Sequence, residues 1–111
     1  MASLEDLVIP RSALTFQSTS EASADVGQLN PAQLAGRLET VVEHHAGSLL
    51  EDAALSTVSI TTDMSGETEI DGPLQFASRI DRKTRTLIFA SGVAKQNDRH
   101  LLKATVVFRI H

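Results

Sequence analysis

The hydrophobic positions change period along the chain. Leu34, Leu38, Val41 and Val42, with His45 completing the row, recur at the spacing of one helical stripe. Asn30 stands where a side chain can cap the first free amides, and Pro31 suits the first helical position. A helix is therefore predicted over 30–46, with Gly47 as its stop. From Leu55 the period becomes two. Val58, Ile60, Thr62 and Met64 alternate with Thr57, Ser59, Thr61 and Asp63, which predicts a half-buried strand.

Ser65-Gly66 reads as a turn into a second alternation, Ile70, Leu74, Phe76 and Ile80 against Glu69, Asp71, Gln75, Arg79 and Asp81. Pro73 marks an edge, bulge or break within that run. Arg82-Lys83-Thr84-Arg85 forms a polar connection to Thr86-Leu87-Ile88-Phe89-Ala90, whose near-continuous apolar character predicts a strand covered on both faces. A turn over 96–99 leads to the last strand. Leu102, Ala104, Val106, Phe108 and Ile110 share one of its faces, and Lys103, Thr105 and Arg109 the other.

One helix and four later strands give an α+β layout in which the apolar stripe lies across an antiparallel sheet. Upstream, the polar stretch 17–25 resembles disorder, Ala13 to Phe16 can form a further strand, and residues 1–12 read as an N-terminal extension. The 111 residues suit a single domain.

Composition narrows the chemistry. The absence of cysteine excludes a disulfide framework, a thiolate nucleophile and Cys-ligated metal. A formal charge of -4, without Tyr or Trp, argues against a nucleic-acid partner. The start of the chain lacks a signal-peptide pattern and no segment is apolar enough to span a bilayer, so no membrane association and a cytoplasmic location are expected. His44-His45 are adjacent, hence about 100° apart on a helix, and do not form a metal site; His45 is expected at the core edge and His44 in solvent. No metal site, phosphate-cradling glycine loop or serine elbow is found.

Gly72-Pro73-Leu74, the run from Arg82 to Leu87, and Leu101-Leu102-Lys103-Ala104 together resemble the strand meander of hotdog thioesterases. With the preceding helix the resemblance covers about two thirds of the chain. It implies a hotdog fold, one long central helix wrapped by a curled antiparallel sheet of about five strands, with 55–111 as a four-strand meander. It also implies a homodimer joined through edge strands, often a dimer of dimers, with active sites at the subunit interface. Acyl-CoA thioesterases of the phenylacetate-degradation type open this helix with His-Gly-Gly and place a carboxylate several residues later. Asn30 falls at the His position, and Glu39-Thr40 where such enzymes carry the carboxylate and a small hydroxyl residue.

The resemblance thus implies hydrolysis of an acyl-CoA or acyl-carrier thioester. Glu39 would be the base or nucleophile, with Thr40 beside it, and the helix start around Asn30 and Ala32 would form the oxyanion and substrate-binding site. Coenzyme A enters only as part of the substrate, and no bound cofactor is expected. Arg82, Lys83 and Arg85 are candidates for its phosphates. The chain departs from the pattern at Pro31, which has no N-H, and at Ala32, which replaces a glycine. These departures favour the alternative, a non-catalytic hotdog domain that binds an acyl-thioester or apolar ligand or serves assembly. A solvated acidic helix face is the competing reading of Glu39 and Glu43.

Overall fold

The computed structural model describes residues 14–25, 29–51, 53–66, 70 and 72–111. The elements run β1 (Thr15–Phe16), β2 (Glu21–Ala24), α1 (Pro31–Gly47), β3 (Leu55–Met64), β4 (Leu74–Lys83), β5 (Leu87–Gln96) and β6 (Arg99–Ile110). The N-terminal extension over 1–12, and Glu69 and Asp71 of the second alternation, lie outside the described residues.

One curled antiparallel sheet of six strands is formed in the order β1-β2-β4-β5-β6-β3, with α1 across it. The expected helix on a sheet of about five strands is met with one strand more. The extra strand comes from the stretch that resembled disorder: within its polar run, Ala22 and Ala24 are buried and β2 pairs with β4. Two alanines carry too little apolar signal to announce a strand, yet they fit beneath a helix. The last four strands also depart from a sequential meander. β4, β5 and β6 follow one another, but β3 leaves β4 and pairs with β6 instead.

The helix forms as its pattern requires. Asn30 Oδ1 accepts from the Gln33 amide and Gln33 Oε1 accepts from the Asn30 amide, each at 2.9 Å, a reciprocal capping box. Leu34, Leu38, Val41 and Val42 are buried against the sheet. Each such side chain contributes roughly 1.5–3 kcal/mol by leaving water. Gly47 is the last helical residue but does not stop the helix by a left-handed turn; Ser48 follows in a right-handed conformation.

The β5–β6 connection is a two-residue turn in which Asn97 and Asp98 both have positive φ, 50° and 66°, the handedness that matches strand twist in a tight hairpin. At the opposite end of β5, Thr84 Oγ1 accepts from the Leu87 amide at 3.0 Å and closes the β4–β5 turn. Arg82 and Lys83 end β4 and only Arg85 lies in that turn. Phe76 and Phe108 are core residues, whereas Phe89 is half-buried.

The prediction for β3 fails in an informative way. Its alternation suggested half burial, but Val58, Ile60 and Met64 are 54%, 43% and 49% exposed, and a register shift between Thr57 and Ser59 interrupts the period. The helix passes over the middle of the sheet and leaves this edge strand uncovered.

Candidate active site

The direction in which α1 faces the sheet follows from its contacts. The His44 ring lies 4.2 Å from that of Phe16 in β1. About 100° further round the helix, His45 Nδ1 is 2.9 Å from Ser78 Oγ of β4. Next come Leu38 and Val42, which crowd Gly92 of β5. Continuing in the same sense by about 60° beyond Val42 brings Glu39, and then Glu43, onto the flank that looks toward β6 and the open β3 edge.

On this flank Glu39 is half-buried. Burial, and secondarily the neighbouring Glu43 charge, push its carboxyl pKa above the usual value. A carboxyl group raised in this way is a better proton acceptor once ionised. Thr40 is half-buried too, but its hydroxyl donates to the Gly36 carbonyl at 3.0 Å, which holds it against its own helix.

The helix start has one free donor in its first turn. Pro31 has no N-H, the Gln33 amide is taken by Asn30, and the Leu34 amide donates to the Asn30 carbonyl. That leaves Ala32, whose exposed amide has no acceptor among the described residues. Asn30 itself is exposed, and its side-chain oxygen is taken up by the cap. Ala32 and Glu39 are seven residues apart, which places them on nearly the same face and about 10 Å apart along the axis.

Arg82, Lys83 and Arg85 are exposed at the far end of the sheet. The Ile110 amide donates to the Thr86 carbonyl, and the His111 amide to that of Ala54 just before β3, so this basic end lies near the β3 start that follows the helix C-terminus. The oxyanion candidate sits at the other end of a 17-residue helix about 26 Å long. At the helix C-terminus, beside the start of β3, a cavity of about 390 Å³ is lined by Glu43, His44, Gly47, Ser48, Ala53 and Leu55. Glu39 does not line it, but stands one turn from Glu43 at its rim.

Two features escaped the sequence reading. His44 was expected in solvent but is half-buried against Phe16, because β1 folds back over that flank. The His45–Ser78 pair joins residues 33 apart and left no local signal. Among the described residues no group of three or more His, Cys, Asp or Glu is placed to hold a metal ion, and no helix is long and apolar enough to cross a membrane.

No family model matches the chain and no curated protein matches it by sequence. Solved structures do match in fold. A phenylacetic acid degradation-related protein from Ralstonia eutropha JMP134 superposes with a TM-score of 0.76 at 20% identity, over 91% of this chain and 90% of that one. A thioesterase from Haemophilus influenzae gives 0.77 at 11% identity, over 100% and 92%. A Bacillus halodurans protein solved with CoA gives 0.74 at 14% identity, over 82% and 66%. The fold is therefore the hotdog fold.

Proposed function

We propose that this chain hydrolyses the thioester of an acyl-CoA or acyl-carrier substrate, with Glu39 as general base or nucleophile. The observation that carries the reading is the half-buried Glu39, its pKa raised, on the helix flank facing the uncovered β3 edge. In the ionised state Glu39 takes a proton from the attacking water, or itself attacks the acyl carbon to form a mixed anhydride that water then hydrolyses, releasing the acid and restoring the carboxylate. The Ala32 amide receives the charge that develops on the carbonyl oxygen. The thiol of the carrier leaves with one proton, and the free acid is the second product. Fold likeness to a thioesterase and to a protein solved with CoA supports this substrate class. Arg82, Lys83 and Arg85 supply charge for the phosphates of the carrier, and the chemistry calls for no metal or resident cofactor.

The working unit is a homodimer through β3. This ten-residue edge strand exposes Val58, Ile60 and Met64 together with a row of unpaired backbone groups. A two-fold axis that pairs β3 with its copy brings the Glu39 flank of one chain toward the helix of the other. The acyl group then sits between the Ala32 amide of one subunit and the Glu39 carboxylate of the other. Association of two dimers and a cytoplasmic setting complete the reading.

One observation favours the non-catalytic alternative, a domain that binds an acyl-thioester or apolar ligand: Pro31 and the capping box leave the first turn a single free amide for an oxyanion. The test that separates the two follows free-thiol release from short, medium, long and aromatic acyl-CoAs. Turnover by the wild type that falls by about 100-fold or more in Glu39→Gln is the expected result. No turnover by the wild type on any member of the panel would overturn the hydrolase reading in favour of the binding or assembly alternative.

A further inference from the structure

We infer a second, separate ligand site on the face of the sheet opposite α1, one that takes a small phosphomonoester. A cavity of about 350 Å³ lies there, lined by Ala77, Ser91, Val93, Arg79, His100 and Lys103 among others. That volume is at the lower end of those that hold small molecules.

The register fixes the orientation. A Cβ on Gly92 would meet Val42 and Leu38 of the helix, so the adjacent Ser91 and Val93 point the other way. Cross-strand pairing sets Arg79 and Thr105 beside Ser91, and Ala77 and Lys103 beside Val93. Small side chains at the centre, Ala77, Ser91 and Val93, make the depression, and three nitrogen-bearing side chains stand round it.

The floor carries a hydroxyl that opens to the cavity. Ser91 is 9% exposed, the one polar residue among the described residues that is buried, and its side chain makes no hydrogen bond to any of them. His100 and Lys103 likewise have no side-chain partner among the described residues, although Asp63 is the register neighbour of Lys103. Arg79 gives its Nε to Asp81 at 2.7 Å, which leaves its terminal nitrogens for another anion. The remaining carboxylate of this face, Glu21 beside Ala77, does not line the cavity.

Cationic groups around an apolar floor with one central hydroxyl match an anion of several acceptor oxygens on a compact apolar body. The sheet separates this site from Glu39, so it stands whether or not the chain is a hydrolase.

The experiment is a titration of the full chain with phenyl phosphate, inorganic phosphate and coenzyme A, read as amide shifts by two-dimensional NMR. Saturable shifts at Ser91, Gly92, Val93 and Lys103 are expected, with phenyl phosphate about 5-fold tighter than inorganic phosphate because Ala77 and Val93 take the ring. Lys103→Ala should weaken binding by about 10-fold and Ser91→Ala by about 3-fold. Arg109→Ala, on the same face but outside the cavity, should leave it unchanged. Coenzyme A tighter than phenyl phosphate at these amides supports the site with a nucleotide as its source; the reverse order supports it with a smaller free phosphomonoester. Absence of saturation by about 10 mM, equal affinity for the two simpler phosphates, or equal loss in Arg109→Ala would overturn the proposal.

Discussion

His45 Nδ1 and Ser78 Oγ lie 2.9 Å apart, a bond between the helix and β4 made by residues far apart in the chain. Burial, then the neighbouring His44, hold the His45 pKa below its ordinary 6.5. Between those two values the unfolded chain binds more protons than the folded one. Stability from this group is therefore complete above about 6.5 and declines as pH falls toward the lowered folded value. The melting temperature of the wild type should drop as pH falls through that window, and His45→Gln should flatten the drop. Superimposable pH profiles would rule out His45 as the source.

Glu39 titrates with the opposite sign. Its folded pKa is raised above 4.5, so the folded state holds the proton more tightly than the unfolded one. That contribution is present below 4.5 and is lost as pH rises through the folded value. Glu39→Gln, neutral throughout, should melt higher than the wild type at neutral pH and show a smaller advantage near pH 4.5. A residue that loses activity but gains stability on neutralisation is kept for chemistry, not for the fold.

Gly92 marks the closest approach of helix and sheet. A Cβ there would lie 2.7 Å from Val42 Cγ2 and 2.9 Å from Leu38 Cδ1, with the Ala77 carbonyl oxygen at 3.2 Å. Gly92→Ala should therefore destabilise by about 1–3 kcal/mol in denaturant unfolding. In a double-mutant cycle with Val42→Ala the combined loss should be smaller than the sum of the single losses. Additive losses would mean that the two sites do not touch.

If the carboxylate and the oxyanion donor come from different subunits, two inactive chains can repair each other. Ala32→Pro removes the amide and Glu39→Gln the base, and each should be inactive alone. Mixed dimers hold one intact site when the groups work across the interface, and none when they work within a chain. Recovery of thioesterase activity on co-expression is the expected outcome; its absence would assign both groups to one chain.

The edge strand carries its own prediction. Ile60→Lys places a charge on an exposed apolar position of β3, where it should cost little in the isolated chain and much at an interface. Light scattering should report a dimer for the wild type and a monomer for the variant, with Glu39-dependent turnover lost alongside.

Much of this fold was legible because two periods are hard to confuse. The stripe Leu34, Leu38, Val41 and Val42 could only be a helix, and Leu102 to Ile110 only a strand with one buried face. What the pattern cannot carry is adjacency. Nothing local in Leu55–Met64 says that it pairs with β6 or that the helix passes it by, and its alternation therefore read as half burial. The site divides in the same way. Glu39 could be placed on a helix flank from numbering alone, but the Phe16–His44 contact, the Ser78 partner of His45 and the Ser91 depression all depend on residues brought together across strands.

The two borders of the sheet are unequal: β1 has two residues and β3 has ten. In the proposed β3–β3 dimer the long apolar border of each chain is used up by its copy, and among the described residues the opposite border is formed by the two-residue β1 and by the charged Arg79–Lys83 end of β4 beyond its pairing with β2. Such a dimer would present no second apolar edge of that length, so association along the hydrogen-bonding direction would stop at two chains.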